Sequence, residues 1–262
     1  MIICIDIGGT KTRVALSKDL KTFIYKDSFS TSQNPQETIL AILDSIKKSG
    51  YVVFDKIVVG VPGIIEDGVI ESSPNLPEWN NFNFCSALKE KINTDVIVIN
   101  DALLGALGEA VYGAGKDYKR VGFITVSTGV GGALIVDKKI DSQGLHFEPG
   151  RIVIDIESGK TLQDYVSGAG VFKETGKKPK EITDPEFWDK KAEILALGLI
   201  NIIDLWSPDI LVIGGPMVLG NPRIDLQKTI SYIQKCAGEL SIPHIVPAEI
   251  GDETGLRGGL CL

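Results

Sequence analysis

The chain has 262 residues, 44% of them hydrophobic and 23% charged, with a formal net charge of −7. A disordered or coiled-coil polypeptide is excluded, and a nucleic-acid partner would have to work against the overall negative field. Cys4, Cys85, Cys236 and Cys261 lie too far apart for a disulfide framework or zinc knuckle, no apolar run approaches the ~18 residues of a membrane span, and no basic region opens the chain, so a cytoplasmic protein without membrane contacts is expected.

In chain order, the apolar spacing predicts strands at 2–7, 13–16 and 23–26, a helix at 35–49, and a strand at 56–61. A helix at 84–91, a strand at 95–99 and a helix at 102–112 follow, then strands at 121–126, 132–136 and 151–154. Helices at 161–166 and 185–206, a strand at 210–213 and a helix at 225–240 complete the series. Asp184-Pro185 supplies a cap and a first-turn proline for the helix at 185–206, and Ser207-Pro208 stops it. Strands alternating with helices imply an α/β protein whose sheets are covered by helices. The tract Gly113-Ala114-Gly115-Lys116-Asp117 marks a candidate domain boundary, and the basic stretch 173–180 reads as a solvated loop.

One pattern occurs twice. Ile5-Asp6-Ile7-Gly8-Gly9-Thr10-Lys11-Thr12 and Val126-Ser127-Thr128-Gly129-Val130-Gly131-Gly132 each read as strand, glycine turn, strand. Two such hairpins suggest two similar halves pointing tight turns at a shared cleft, although either one alone is equally an ordinary hairpin. Glycine turns let backbone N–H groups approach a phosphate, Thr10 and Thr128 add hydroxyls, Lys11 adds charge, and Asp6 suits Mg²⁺ held through water. Gly214-Gly215 closes another strand, where open α/β sheets place ligands. Neither a P-loop nor a dinucleotide fingerprint is present. Asn100-Asp101 ends the strand at 95–99: Asp101 reads either as a helix cap or as a catalytic carboxylate, and Asn100 suits a sugar hydroxyl.

Together these residues resemble the ROK family of sugar kinases and related regulators. The resemblance implies an α/β, actin-like ATPase (ribonuclease H-like) two-lobed fold with two mixed sheets flanked by helices. It divides the chain into an N-terminal lobe, 1–113 with a closing helix at 252–262, and a C-terminal lobe, 114–251. Asp6, Gly8, Gly9, Thr10 and Lys11 are similar to the first phosphate motif, and Thr128, Gly129 and Gly131 to the second. Gly214 and Gly215 resemble the adenosine-side turn. Gly60-Val61-Pro62-Gly63 and Pro74-Asn75-Leu76-Pro77-Glu78-Trp79 resemble the sugar-side segments, so Gly63, Asn75, Asn100, Glu148 and Arg151 are implied sugar contacts. Asn100-Asp101-Ala102, followed by Ala106-Leu107-Gly108-Glu109, resembles the catalytic stretch and implies Asp101 as general base. ATP, Mg²⁺, a small-molecule sugar and a homodimer are implied with them. Gly251-Asp252-Glu253-Thr254-Gly255-Leu256-Arg257-Gly258 resembles the closing helix.

The departures define the alternatives. Phe147-Glu148-Pro149-Gly150-Arg151 stands where the family usually reads G-E-x-G-H, so arginine takes the histidine position; it pairs with Glu148 or Asp155, or contacts a sugar or anion. The stretch from Ile156 to Gln163 lacks the cysteines of the family's zinc segment, so no zinc is expected. Gln163 takes the place of a sugar-binding glutamate. His146 reads as a loop or core residue, Trp79 and Trp206 as packing residues, and Pro216 as a stiffener of its turn. The primary expectation is a kinase transferring the γ-phosphate of ATP to a hexose, most simply to the 6-hydroxyl of glucose. The alternatives are a catalytically inactive sugar- or nucleotide-binding protein, a sugar-responsive regulator, and polyphosphate as donor.

Overall fold

A computed structural model describes residues 1–140 and 147–262. They form two compact units, Met1–Gly108 with Asp252–Leu262, and Glu109–Gly251.

The first unit is built on a five-stranded sheet. Its strands are β1 (Ile2–Ile7), β2 (Lys11–Ser17), β3 (Tyr25–Ser30), β4 (Lys56–Val61) and, after three short strands β5 (Ile64–Glu66), β6 (Val69–Ser72) and β7 (Phe82–Asn83), β8 (Asp95–Asn100). Their order is β3-β2-β1-β4-β8. The first three run antiparallel, while β4 and β8 continue parallel to β1. The two-residue period of a strand decides what each face meets. Ile3, Ile5 and Ile7 join Val14, Leu16, Ile57, Val59 and Val61 in a core closed by α1 (Pro35–Lys48), which buries Ile39, Ile42 and Ile46. Asn34 caps α1 by accepting from Gln36 N–H at 2.9 Å. Cys4 and Asp6 point the other way, toward the C-terminal helix Thr254–Gly259. That helix approaches so closely because it carries glycines: a Cβ on Gly258 would lie 1.9 Å from the Leu104 carbonyl oxygen, and one on Gly255 2.9 Å from the Asp6 carboxylate. Beyond α2 (Phe84–Lys89), α3 (Asp101–Tyr112) begins in this unit and ends in the second.

The second unit repeats the design. Its sheet has the order β11-β10-β9-β14-β15, made of β9 (Arg120–Val126), β10 (Val130–Val136), β11 (Lys139–Ile140), β14 (Ile210–Gly214) and β15 (His244–Pro247). Again three strands are antiparallel and two follow in parallel. A separate hairpin pairs β12 (Val153–Asp155) with β13 (Lys160–Thr161). Of the helices, α4 (Leu162–Val166), α5 (Gly168–Thr175), α6 (Pro185–Trp206), α7 (Pro216–Leu219) and α8 (Leu226–Cys236), the 22-residue α6 supplies most of the helical core: Leu195, Leu199, Ile202 and Trp206 pack with Ile124, Val126, Leu211 and Ile213. Among the described residues no helix is long and apolar enough to cross a membrane.

Three expectations are corrected locally. Residues 151–154 do not form one strand, because Pro149 starts a 3-10 turn that carries the chain through Arg151 before β12 begins. The stretch 173–180 is not a loop throughout: α5 covers it as far as Thr175, with Ser167 accepting from Gly170 N–H at 3.0 Å, and only its exposure matches. The helix expected at 225–240 stops at Cys236, ahead of Gly238 in a left-handed conformation.

Candidate functional site

In the first unit three parallel strand ends share one edge. The ladders align Asp6 with Gly60 and Gly60 with Ile99, so at about 4.8 Å per strand Asp6 and Ile99 lie roughly 10 Å apart. Beyond that row the chain delivers the turn at Gly8, the Gly63 loop and Asn100-Asp101. The turn is closed by Gly8 N–H donating to the Lys11 carbonyl at 2.9 Å. Gly9 is small for a reason other than backbone freedom, since a Cβ there would lie 3.0 Å from Asn75 Cβ. The structure therefore brings the first phosphate motif and Asn75 together. Lys11 instead lines an open groove of about 350 Å³ with Arg13, Lys26, Asp252 and Glu253. Those four are paired ion to ion, Arg13 with Asp252 at 2.9 Å and Lys26 with Glu253 at 2.7 Å.

Asp6 has only 17% of its side chain exposed and faces Arg13 at 3.7 Å. Burial pushes its pKa up to about 6; Arg13 opposes the shift and Asp252 adds to it. The carboxylate offers the oxygen chemistry a hard divalent cation takes.

At the end of β8 the capping role falls to Asn100. Its Oδ1 accepts from Leu103 N–H at 3.1 Å, and its Nδ2 donates to the Gly63 carbonyl at 2.8 Å. Asp101 opens α3, accepting from Ala102 N–H at 2.9 Å. It packs over Gly60, where a Cβ would lie 3.4 Å from Asp101 Cα and 2.9 Å from Leu104 Cδ1. Gly63 has φ +124, and a Cβ would collide with the Ser72 carbonyl at 2.1 Å. Next to it the buried Ser73 hydroxyl has no partner among the described residues.

In the second unit the turn after β9 is held from several sides. Ser127 N–H donates to Gly129 O at 2.8 Å, while Gly168 and Ala169, opening α5, donate to Ser127 O and Thr128 O at 2.7 and 3.1 Å. Gly215, with φ +90, backs onto the same turn: a Cβ would lie 2.3 Å from Val126 O. Gly214 ends β14, and Gly131 sits in β10 opposite Thr125. Gln163 reaches this cluster from α4, its Oε1 lying 3.5 Å from a Cβ on Gly129 and 3.2 Å from one on Gly150. Thr128, Gly129, Gly215, Gln163 and the Glu148–Arg151 turn thus converge. Arg151 stands 3.9 Å from Glu148 and is half exposed. His146 lies outside the described residues.

Where the family's zinc segment is absent, Asp155 fastens the β12–β13 hairpin. It accepts from the Ser158 hydroxyl at 2.5 Å, Glu157 N–H at 3.0 Å and Tyr165 OH at 3.0 Å. These bonds pull its pKa down to about 2. Among the described residues no group of three His, Cys, Asp or Glu is disposed to hold a metal ion. Trp79 is buried, stacked on Phe84, and Trp206 packs against Phe147.

Thr31 was not singled out by sequence reasoning, and Glu109 entered only within the stretch that resembles the catalytic segment, with no role of its own. Glu109, wholly buried, accepts from Ala114 N–H at 3.0 Å, Ile250 N–H at 3.0 Å and Glu249 N–H at 3.3 Å, tying the end of α3 to the returning chain. Thr31 donates its hydroxyl to Gly8 O at 2.8 Å and its N–H to Thr10 O at 3.1 Å. A threonine just past a strand gives no signal of its own; the glutamate's hint was its place in a mostly apolar helix.

A mixed sheet of one order, occurring twice and bearing a glycine turn after the first strand of each copy, defines the actin-like ATPase fold class. The ROK family model matches residues 2–262, and the chain belongs to that family. It is similar to a glucokinase of Thermotoga maritima, 30% identical over 98% of this chain and 95% of the relative. It is also similar to a fructokinase of Pediococcus pentosaceus, 27% identical over 98% of this chain and 96% of the relative. In fold it matches a ROK family glucokinase from Streptomyces griseus, solved in complex with glucose and AMPPNP: TM-score 0.84, 22% identity, covering 99% of this chain and 97% of that one.

Proposed function

We propose that the protein is an ATP- and Mg²⁺-dependent hexose kinase acting on the 6-hydroxyl of glucose or a close analogue, with Asp101 as general base. The observation that carries this reading is that Asp101 opens α3 at the ends of the same parallel strands that deliver Asp6 and the first glycine turn. The glucokinase and fructokinase relatives support sugar phosphorylation as the activity. When bound, Mg²⁺ and ATP supply the phosphoryl group and the countercharge that its transfer requires. Asp6 would hold the cation through water, the Gly9 and Thr10 amides would bind phosphate oxygens, Gly8 closes the turn that presents them, and Lys11 adds its charge from the adjoining groove. In the second unit Thr128, Gly129 and Gly131 are assigned to nucleotide phosphates, and Gly214 and Gly215 to the adenosine end. Asp101 accepts the proton of the attacking hydroxyl. Gly63, Asn75 and Asn100 are assigned as sugar contacts of the first unit, and Glu148 and Arg151 as those of the second. The enzyme works as a cytoplasmic homodimer without zinc.

The test is a coupled assay of ADP formation over a hexose panel, with ATP and polyphosphate compared as donors. Sugar-stimulated turnover, highest with glucose and ATP, is expected. Asp101→Asn should keep the fold and glucose binding while kcat falls by about 10²–10⁴. No sugar-stimulated turnover would favour a sugar- or nucleotide-binding protein, and near-normal turnover by the Asp101 variant would remove that residue from the mechanism.

A further inference from the structure

We propose that Thr31 is a positioning residue for nucleotide binding, aiming the Gly9 amide of the first glycine turn at the phosphates; this rests on the nucleotide reading of that turn. The two carbonyls flanking Gly9, those of Gly8 and Thr10, are both held by Thr31, one through its hydroxyl and one through its N–H. In a planar trans peptide the N–H points opposite to the C=O. Fixing the Gly8 carbonyl toward Thr31 therefore turns the Gly9 N–H away from it. The amides of Gly9 and Thr10 donate to no acceptor among the described residues. The Gly9 donor, held in that way, is what an anion's oxygens need.

The hydroxyl is itself held. Thr31 spends its single proton on Gly8 O, so the contact of 2.9 Å with the Thr12 hydroxyl is one in which Thr12 donates. Thr12 is completely buried in β2. The chain after Thr31 is equally constrained: Ser32 N–H donates to Thr38 Oγ1 at 3.1 Å, and Ser32 O accepts from Trp79 Nε1 at 3.2 Å. Thr31 thus stands on a fixed base and has one orientation in which both turn carbonyls are satisfied.

Thr31→Val keeps the shape but removes the donor to Gly8 and the acceptor of Thr12; Thr31→Ser keeps both. Calorimetric titration with ADP and Mg²⁺, together with separate KM values for ATP and sugar, distinguishes them. For the valine variant we expect nucleotide affinity to fall roughly tenfold, as the loss of a hydrogen bond to a partly buried carbonyl implies. The serine variant should stay within about twofold, and KM for sugar should be unchanged in both. Thr31→Ala gives the same comparison should the valine variant not fold. Normal nucleotide affinity without the hydroxyl, or equal losses for sugar and nucleotide, overturns the proposal. If the unaltered protein binds no nucleotide, the kinase reading falls with it; if it binds and the variants bind equally well, the proposal alone is lost.

Discussion

Asp6 is a buried carboxylate whose ionisation works against the fold. In the unfolded chain an aspartate titrates near 3.9, whereas burial beneath the C-terminal helix raises Asp6 to about 6. Between those values the folded protein holds a proton that the unfolded chain has released. Stability is therefore lost as pH rises through that interval, and above it the ionised group is a standing cost. Asp6→Asn should accordingly melt higher than the unaltered protein at pH 7.5, with the advantage shrinking toward pH 4, while phosphorylation is lost. A lower melting temperature at pH 7.5 would contradict that account of Asp6. By spacing alone Asp101 was legible only as an ambiguity between cap and catalyst, and the family resemblance pointed to the catalyst. The structure gives the cap to Asn100, whose amide spans Leu103 and Gly63. That division depends on a contact with residue 63, which spacing along β8 could not reveal.

Among the elements, those with complete local signals were legible and those without were not. The helix at 185–206 has its boundaries where they were expected: Asp184 accepts from Glu186 N–H at 2.9 Å, Pro185 fills the first turn, and Ser207 ends it in a left-handed conformation. Strands β1 and β4 announce themselves as continuous apolar runs because both faces are covered. By contrast, β5, β6 and β7 are too short to show a period, and β15 follows Pro243 and ends on Pro247. In α5, Gly168 and Gly170 conceal a helix that Ser167 caps. The C-terminal helix follows the opposite logic, since its glycines serve packing rather than helix propensity. Gly258→Ala would drive a methyl group into the Leu104 carbonyl, and overpacking of this kind costs about 1–3 kcal/mol. Urea unfolding measures it; a variant as stable as the unaltered protein would show that the two helices are not in such close contact.

At the scale of the molecule, the internal echo in the sequence corresponds to a duplicated topology, five strands in the same order in each unit. Only the glycine turns betrayed it, because a tight turn restricts residue choice and the surrounding strands do not. The second copy carries the hairpin that Asp155 fastens through Ser158 and Tyr165, where many family members use zinc. Exhaustive dialysis against a chelator should leave the melting temperature unchanged, and elemental analysis should find no stoichiometric zinc; one zinc per chain would overturn this. The order of the chain has a consequence of its own. Residues 109–251 make one unit without interruption, but the first unit needs Asp252–Leu262, which is synthesised only after the second unit is complete. The second-built half can therefore finish while its elder is still waiting for the helix that shields Cys4 and Asp6. Any product cut short before Asp252 has that flank of the sheet bare.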